Sequence, residues 1–490
     1  MDQTAWNVLR EIAHRVLLEH GFAADFPAQA LAEAEALPDE TPVDPGVEDL
    51  RKLPWLSIDN LGTRTLDQIT TAERRGRSIL VRIAIADVDA LVPPGSALDR
   101  HARYNTRSVY TPGGTFPLLP EKIATGLGSF REGRDRLAVA VELLVEEDGS
   151  VSAVEIRRAL VRNQARLAYE EVADWLEGKG SLTNRQMKMS VLKKQLRLHE
   201  EAAGNLRRRR YERGALPIER WRLEPIFHCE EKVRLRPLEG ARAQELIEDL
   251  MVATNEATAA FLSARGLPSL RRLVRAPERW PRLVELAGNL PAEPDSAALA
   301  AFLEERRLSD PESYPELALA VLQLVGLGEY VADLPGRPLP RHFSLAVDDY
   351  AHSTAPNRRY GDLATQRLLK AALAGRPAPY SERELEGLAA WCTRREDDAG
   401  RVERRVEGSA GALLLADRIG EELEAVVIGM NEVRACDPPV AGRLATEGLD
   451  IGDRVWVQVA AVDVEGGVVE FEGLQGPQGQ QGPGKAVSRP

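Results

Sequence analysis

The segment "ILVRIAIAD" (79–87) alternates residues that suit a buried and an exposed face, and so predicts a β-strand with one buried side. Farther along, "RLAVAVELLV" (136–145) and the residues after it predict a hairpin that turns at Asp148 and Gly149. A long helix is predicted over 241–262, where apolar residues recur at helical spacing. Strands and helices mix without a repeating βαβ rhythm, which predicts the α+β class, with a mixed or antiparallel sheet surrounded by helices.

The two ends of the chain differ from this central region. Helices are predicted over 4–20 and 28–37, followed by a linker rich in proline and acidic residues (38–49). Short strands separated by Gly and Asp turns near the C-terminus predict a small all-β barrel of the OB type. The predicted organisation is a short acidic helical segment, a catalytic domain, a barrel and a disordered low-complexity tail, over residues 1–45, 50–415, 418–473 and 474–490.

The composition is that of an ordinary globular protein, with 490 residues of which 43% are hydrophobic and 29% charged. No apolar run approaches the roughly 20 residues that span a bilayer, and the N-terminal residues lack the features of a signal peptide. The three cysteines stand far apart, which implies neither a disulfide framework nor a CxxC metal site. These features predict a cytoplasmic protein that does not associate with membranes.

The net charge of −12 is concentrated at the N-terminus. The first fifty residues hold eleven Asp or Glu residues against Arg10 and Arg15, so they account for −9 of the total. The rest of the chain contains arginine-dense stretches that would suit an RNA path, although charge runs are more often solvated surface. These stretches are "LRRRRYERG" (206–214), "SLRRLVR" (269–275), "NRRYGD" (357–362) and "GRVERRVEG" (400–408).

Carboxylates and arginines are the remaining candidates for chemistry. The chain has no Walker loop, GxGxxG fingerprint, HExxH motif or histidine pair at metal-ligand spacing. In "SIDNLGTRTLDQI" (57–69), Asp59 and Asp67 stand eight positions apart. Two such carboxylates either bind a divalent cation, as in magnesium-assisted phosphoryl transfer, or are ordinary turn residues.

Five stretches in order resemble the ribonuclease II/ribonuclease R (RNB) family. The first, "DLRKLPWLSIDNLGTRTLDQI" (49–69), is similar to the family's opening motif D-L-x-x-L-P-x-x-T-I-D-x-x-x-x-x-D-x-D-D-A. The resemblance covers about residues 50–415, and the predicted barrel lies where the family has its RNA-binding barrel. The other four stretches lie at 83–130, 165–176, 245–257 and 342–369, the last reading "HFSLAVDDYAHSTAPNRRYGDLATQRLL".

The resemblance implies processive hydrolysis of RNA from its 3′ end, with release of 5′-nucleoside monophosphates. It also implies Mg²⁺ as the cofactor, with Mn²⁺ as an alternative, because carboxylates would hold cations that activate water and neutralise charge on the leaving oxygen. The implied partner is single-stranded RNA, or structured RNA with a 3′ overhang. A monomer is expected.

Alignment of this stretch with the family's opening motif shows that two of the four motif aspartates are replaced. The family's first and third aspartates fall on Asp59 and Asp67, whereas Thr65 and Gln68 occupy the second and fourth positions. Four carboxylates balance two Mg²⁺ ions and two balance one, so the Thr65 hydroxyl and the Gln68 carbonyl would act as neutral ligands. Asp87 either contributes to this site or serves as a strand-end turn residue.

Other roles carry over from matching motifs. Tyr110 matches a tyrosine that stacks on nucleotides near the 3′ end, with a core position as the alternative. Tyr169 matches a second tyrosine near the scissile end. Arg358 matches an arginine that binds the scissile phosphate, and Arg359 is assigned to RNA binding beside it. Ala355 and Asn357 replace the family's Ser and Ile in this motif.

Acidic residues on two predicted helices complete the set. Glu403 matches a glutamate that approaches the active site, with an ion pair to nearby arginines as the alternative role. Glu248 or Asp249 matches an acidic pair of which one member contacts the terminal nucleotide, and a solvated helix edge is the alternative.

The departures from the family motifs leave two alternatives for the function. The chain is either an exoribonuclease with fewer metal-binding carboxylates or a catalytically impaired RNA-binding protein on the same scaffold. The acidic N-terminal helices could serve a protein partner in either case. Family members carry cold-shock barrels before the catalytic domain, and fifty acidic helical residues cannot form them, so we expect a more open RNA entrance.

Overall fold

The computed structural model describes residues 3–39, 43–183, 186–217, 224–226, 234–236, 241–311, 314–429, 431–444, 449 and 453–474. The described strands are β1 (Glu48–Asp49), β2 (Leu56–Asp59), β3 (Gln68–Arg75), β4 (Ser78–Ala86), β5 (Val109–Thr111), β6 (Gly114–Phe116), β7 (Asp135–Val145), β8 (Val151–Arg162), β9 (Ala165–Ala168), β10 (Glu224–Ile226), β11 (Arg234–Arg236), β12 (Ser269–Leu273), β13 (Glu329–Asp333), β14 (Glu422–Gly429), β15 (Glu432–Ala435), β16 (Ala441–Leu444), β17 (Arg454–Asp463) and β18 (Val468–Gly473).

The described α-helices are α1 (Gln3–Glu19), α2 (Ala28–Ala36), α3 (Ala97–Asn105), α4 (Tyr169–Leu176), α5 (Met189–Glu212), α6 (Ala241–Ser263), α7 (Trp280–Ala287), α8 (Ser296–Ser309), α9 (Tyr314–Val325), α10 (Tyr360–Leu373) and α11 (Glu382–Leu415). A π-helix spans Lys122–Leu127, and 3₁₀-helices span Val88–Ala90 and Ala416–Arg418.

A seven-stranded sheet forms the centre of the fold, in the order β1-β8-β7-β4-β3-β2-β9. Its inner pairs are antiparallel, whereas β1 pairs with β8 and β2 with β9 in parallel. Strand β4 follows the predicted 79–87 closely, and the β7–β8 hairpin turns at Gly149 with a φ of 79°. A positive φ is accessible to glycine without steric cost, which explains the tight turn there.

Each face of the sheet carries its own apolar core. On one face, Ile83 and its alternate neighbours in β4 pack against α5 and α6. On the other, Ala84 and Ala86 pack beside α10, α11 and the π-helix. Both faces are covered because successive side chains of a strand point to opposite sides. The predicted α+β class, with a mixed sheet surrounded by helices, is confirmed.

The C-terminal strands close into a five-stranded barrel in the order β14-β15-β16-β18-β17. The last turns of α11 pack on it. A Cβ placed on Gly408 would meet the backbone of Gly467, and Nη2 of Arg405 donates to the carbonyl oxygen of Glu465 at 2.6 Å. Close backbone approach at Gly408 therefore fixes the barrel to the end of this helix. The predicted small all-β barrel is confirmed.

The N-terminal helices also match the predictions, with α1 and α2 close to the predicted 4–20 and 28–37. Helix α1 packs in a separate apolar cluster with the β5–β6 hairpin and α11, through residues such as Ile12, Phe116 and Val402. None of the helices described here has the length and apolar character needed to cross a membrane. The predicted disordered tail lies almost entirely outside the described residues, and the four predicted domain boundaries stay predictions.

Candidate active site

The loop between β2 and β3 carries the two aspartates expected to bind metal. Asp59 ends β2, and the backbone N–H of Asn60 donates to its Oδ1 at 2.8 Å. The guanidinium of Arg166 donates to the carbonyl oxygens of Leu61 and Thr63, at 3.0 and 2.6 Å. Burial raises the pKa of Asp59, against the opposing hydrogen bond from Asn60. These contacts anchor the loop at the edge of the sheet.

Asp67 directly precedes β3 and is only 4% exposed. Its Oδ2 accepts a hydrogen bond from Nε of Arg358 at 3.0 Å. Its Oδ1 is buried and has no hydrogen-bond partner within the part of the chain that the structure describes. Burial raises the pKa of Asp67 to about 6, although the Arg358 cation acts in the opposite direction. With 45% of the Arg358 side chain exposed, the pair presents an unpaired carboxylate oxygen beside an accessible cation.

The segment that carries Arg358 is held by its backbone. The carbonyl oxygen of Arg358 accepts a hydrogen bond from the N–H of Ser108 at 3.0 Å. Oδ2 of the fully buried Asp362 accepts from the N–H of Ala355 and from Nη2 of Arg359, both at 2.8 Å. Arg359 is thus committed to an ion pair with Asp362, and its assignment to RNA binding stays a prediction.

The β5–β6 hairpin brings Tyr110 beside this segment. Tyr110 is 48% exposed, and its backbone N–H donates to Oε1 of Glu403 on α11 at 3.2 Å. Arg107 lies between two acids of the same helix, with nitrogens 3.4 Å from Glu396 and 4.0 Å from Glu403. Burial raises the pKa of the Tyr110 hydroxyl, and the nearby Arg358 cation opposes this shift. Tyr110, Glu403, Arg358 and Asp67 therefore form one connected neighbourhood.

Three more predicted residues lie near the same edge of the sheet. The parallel register of β2 and β9 pairs Asp59 with Ala168, so Tyr169, which begins α4, follows at the same end. Tyr169 is half-buried against the core of the sheet. Thr65 and Gln68 are also half-buried, one in the loop before Asp67 and the other at the start of β3. Their assigned roles stay predictions.

Asp249 is occupied by ion pairs between α5 and α6. Its carboxylate oxygens lie 2.6 Å from Arg207 and 2.9 Å from Arg210, and its side chain is buried. Burial raises the pKa of Asp249 to about 6, against the effect of both arginines. Glu248 is half-buried on the same helix. These contacts give Asp249 a role in packing two helices, and the predicted contact of either acid with RNA is untested.

Several arginine-dense stretches likewise form ion pairs within the fold. Arg271 contacts Asp333 and Asp349, both at 2.6 Å, and Arg213 contacts Glu256 at 3.2 Å. Such pairs neutralise cations that the sequence presents as a run. The charge pattern alone therefore does not locate an RNA path on this chain.

The predicted metal site contains two carboxylates, Asp59 and Asp67. Within the described ranges, no group of three or more His, Cys, Asp or Glu side chains is placed to hold a metal ion. Asp87, the other acid considered, caps a 3₁₀-helix at the N–H of Ala90 (3.2 Å) and pairs with Lys370 (2.8 Å). The metal-binding roles of Asp59, Asp67, Thr65 and Gln68 stay predictions.

Some contacts that shape the site left no pattern in the sequence. Asp362 follows the arginine pair in "NRRYGD" (357–362), and an acid three residues after an arginine at a helix start could have suggested their ion pair. The hydrogen bonds of Arg166, Asn357 and Ser129 join segments remote in sequence. No local spacing reveals contacts of that kind.

These elements define an α+β protein with aspartates and an arginine at one edge of its mixed sheet and a small barrel packed on the last turns of α11. The chain matches the RNB domain over residues 47–375 and the RNase II-type exonuclease C-terminal S1 domain over 421–473. It therefore belongs to the RNB family, and the family resemblance found in the sequence is confirmed.

Curated relatives are similar along most of this chain. Ribonuclease R of Vibrio parahaemolyticus is 29% identical over 508 aligned residues, which cover 93% of this chain and 59% of the relative. Ribonuclease R of Escherichia coli is 28% identical, over 96% of this chain and 63% of the relative. The chain thus spans about three fifths of the length of these relatives.

Solved structures show the same fold. RNase R of Mycoplasma genitalium, in complex with ribose methylated single-stranded RNA, superposes with a TM-score of 0.81 at 22% identity, covering 94% of this chain and 77% of that one. Yeast Ssd1, a pseudonuclease, superposes with a TM-score of 0.68 at 17% identity, covering 91% of this chain and 57% of its own. At these identities the likeness extends to the fold alone.

Proposed function

We propose that this protein is a hydrolytic exoribonuclease that degrades RNA processively from the 3′ end and releases 5′-nucleoside monophosphates. The observation that carries the proposal is the Asp67–Arg358 pair, in which an accessible guanidinium lies beside a buried carboxylate oxygen that has no partner in the described part of the chain. This combination suits a phosphodiester, because the guanidinium attracts the phosphate and the carboxylate supplies a hard ligand for a divalent metal ion.

Each side chain of the neighbourhood has a part in the proposal. Arg358 binds the scissile phosphate and stabilises the negative charge that develops on it. Tyr110 stacks on a base near the 3′ end, and its exposed ring is available for this contact. Glu403 fixes the Tyr110 backbone through the 3.2 Å hydrogen bond. Tyr169 lies at the end of the sheet where Asp59 is found.

A divalent cation, Mg²⁺ or alternatively Mn²⁺, would supply an activated water and charge neutralisation when bound. Asp59 and Asp67 would hold it, with neutral oxygens from Thr65 and Gln68. The two carboxylates can balance the charge of one divalent cation, so the proposal requires a single metal ion. Arg358 would stabilise the remaining negative charge that develops on the phosphate. Arginine can serve this purpose because it stays protonated and forms two parallel hydrogen bonds with a phosphate.

Single-stranded RNA, or structured RNA with a 3′ overhang, is the proposed substrate. Homologues named Ribonuclease R and a structural neighbour bound to double-stranded RNA support this choice. A hairpin with a short 3′ overhang tests whether the entrance is open: digestion should continue into the duplex, and a firm stop before it would count against an open entrance. A monomeric state and a cytoplasmic location also stay proposals.

The second candidate is a catalytically impaired RNA-binding protein. It is favoured by Thr65 and Gln68 at two of the family's aspartate positions, and by the absence of a three-acid cluster among the described residues. The fold of the pseudonuclease Ssd1 is compatible with it. Such a protein would still use the arginines, the Tyr110 hairpin and the barrel to hold RNA.

One assay separates the two candidates. Purified protein is incubated with 5′-labelled single-stranded RNA and Mg²⁺ or Mn²⁺, beside an Asp67→Asn variant. A descending ladder that the variant lacks supports the exoribonuclease. Binding of RNA without metal-dependent shortening would reject it and support the RNA-binding protein.

A further inference from the structure

Asn357, the residue before Arg358, has an unusual environment for an amide side chain. It is 1% exposed, and its Nδ2 donates to the carbonyl oxygens of Ala124 at 2.8 Å and Gly128 at 3.2 Å. These carbonyls lie within and directly after the π-helix. The segment that carries Arg358 is therefore tied to the end of the π-helix by a side chain adjacent to the arginine.

The residues that follow this π-helix are tied to the loop that carries Asp67. The hydroxyl of Ser129, which is fully buried, accepts from the N–H of Leu66 at 2.9 Å and lies 3.1 Å from the carbonyl oxygen of Arg64, to which it donates. The N–H of Phe130 donates to the carbonyl oxygen of Leu66 at 3.0 Å. Residues 128–130 thus hold the backbone immediately before Asp67.

These contacts close a ring. From Asp67 the path runs across the 3.0 Å hydrogen bond to Arg358, along the backbone to Asn357 and across a hydrogen bond to Gly128. It returns from Ser129 across the hydrogen bond to Leu66, the residue before Asp67. The two partners of the ion pair, 291 residues apart in sequence, are consequently attached to the same three-residue segment. A shift of this segment would move both attachments together.

We propose that Asn357 and Ser129 are positioning residues that set the geometry of the Arg358–Asp67 pair and through it the placement of the scissile phosphate. The inference rests on the proposed function, since it assigns Arg358 to that phosphate. It concerns residues that would not touch the substrate, because both are buried. Small displacements at a reacting centre are costly, so such support affects turnover more than binding.

The hydrogen bonds of Asn357 contribute to stability as well as to position. Its Oδ1 is buried and has no hydrogen-bond partner in the described part of the chain, so the side chain leaves a polar atom unsatisfied. An apolar replacement would remove this acceptor but would also take the amide donor away from the carbonyl oxygens of Ala124 and Gly128, which should lower stability. A positioning role therefore has to be separated from a structural one by comparison with a buried amide that is tied to a different part of the chain.

The test compares Asn357→Leu, Ser129→Ala and the double variant with the wild type. We expect Asn357→Leu to lower kcat on single-stranded RNA at least tenfold, with KM changed less than threefold and a midpoint of urea unfolding lowered about as much as in a matched buried-amide control. Ser129→Ala should lower kcat in the same way. In the double variant the loss of kcat should be smaller than the product of the single losses, because both side chains act through one segment.

Asn105→Leu is the matched control. Asn105 is also a buried amide, and it exchanges two 2.9 Å hydrogen bonds with the backbone of Ala23, which belongs to the N-terminal region. Its replacement should lower the urea midpoint and leave kcat within threefold of the wild type. Unchanged kcat in both Asn357→Leu and Ser129→Ala would overturn the inference while the wild-type enzyme remains active.

A second measurement does not depend on turnover. The Nε–H resonance of Arg358, identified in ¹⁵N-arginine-labelled protein by its loss in Arg358→Lys, reports the hydrogen bond to Asp67. It should shift or broaden in Asn357→Leu and keep its position in Asn105→Leu. A wild type that never shortens RNA would contradict the proposed function, whereas an unaltered Arg358 resonance in Asn357→Leu would contradict the positioning role.

Discussion

Nε of Arg358 donates a 3.0 Å hydrogen bond to Oδ2 of Asp67, and the buried second oxygen of that carboxylate has no hydrogen-bond partner among the residues that the structure describes. Arginine rather than lysine suits this position, because a planar guanidinium can keep its contact with the carboxylate while other N–H groups bind a phosphate. A lysine ammonium lacks this fixed planar arrangement of donors and would hold the carboxylate and the phosphate less precisely.

Replacement of Arg358 by lysine should therefore reduce kcat far more than RNA affinity. We expect a loss of kcat on the order of 10²–10³-fold, as for removal of one donor to developing negative charge. Steady-state kinetics on 5′-labelled RNA measure it. Arg64→Lys is the control, because Arg64 lies on the Asp67 loop with its side chain 71% exposed in an ion pair with Glu121. Equal kcat in the two variants would contradict this role.

Tyr110→Ala should weaken binding of the RNA 3′ end. Stacking on an aromatic side chain contributes about 1–3 kcal/mol per base, which corresponds to a rise in KM of roughly 5–150-fold. Tyr110→Phe retains the ring and should behave as the wild type. Binding of RNA with 2-aminopurine near its 3′ end reports the stacking directly. If Tyr110→Phe lost as much affinity as Tyr110→Ala, the hydroxyl rather than the ring would be responsible.

Restoring acids at the two substituted motif positions should strengthen metal binding. At an effective dielectric constant of about 20, unit charges 4 Å apart interact by about 4 kcal/mol, so Thr65→Asp or Gln68→Asp should lower the Mg²⁺ concentration for half-maximal cleavage at least ~10-fold. Mn²⁺ binding followed by electron paramagnetic resonance measures the affinity without relying on turnover. Unchanged Mn²⁺ affinity in both variants would place Thr65 and Gln68 outside the cation site.

Gly113→Ala should loosen the hairpin that carries Tyr110. A Cβ at Gly113 would lie 2.6 Å from the carbonyl carbon of Leu9 and 2.7 Å from the backbone nitrogen of Arg10, so α1 would have to move. We expect a loss of about 2 kcal/mol in the free energy of unfolding, with a raised KM. Gly387→Ala on α11 is the control: it meets open space and should stabilise the protein by about 0.5–1 kcal/mol. Equal urea midpoints would contradict the contact.

Stability should depend on pH through His199. It is fully buried, and burial lowers its pKa from 6.5 to about 4. The unfolded chain binds a proton below pH 6.5 whereas the folded chain does not until about pH 4. His199 therefore contributes its full stabilisation above pH 6.5, and this contribution falls by up to about 3 kcal/mol as the pH drops to 4.

His199→Gln removes this contribution, so the unfolding free energy of the variant relative to the wild type should rise by about 2 kcal/mol between pH 7.5 and pH 5. Asp67 and Asp249, whose pKa values of about 6 act in the opposite direction, are present in both proteins and cancel in the comparison. Urea unfolding at several pH values measures the difference. Parallel curves for the two proteins would show that His199 does not control the slope.

Local patterns were sufficient for the elements but not for the site. The alternation over 79–87 and the helical spacing over 241–262 predicted β4 and α6 within a residue, because apolar periodicity directly reports which face is buried. The sheet order and the contact between Asp67 and Arg358 depend on packing between distant segments. Only the family motifs, found in the expected order along the chain, predicted that Asp67 and Arg358 belong to one site.

Side-chain environments set a further limit. The sequence marked Asp249 as one of two acids near RNA, yet its oxygens are taken by Arg207 and Arg210 on a neighbouring helix. It also marked Asn357 only as a departure from the family motif. Hydrogen bonds from one amide to carbonyl groups more than 200 residues away produce no spacing that a single sequence can display.

Helix α11 extends through 34 residues, about 50 Å, and carries Glu403 at the site and Gly408 against the barrel. Each residue of an α-helix turns its successor by about 100°. An insertion of one residue between Glu403 and Gly408 would therefore swing the barrel by more than a quarter turn around the helix axis relative to the site. The spacing from Glu403 to Gly408 thus sets the rotational position of the barrel about the helix axis relative to the site.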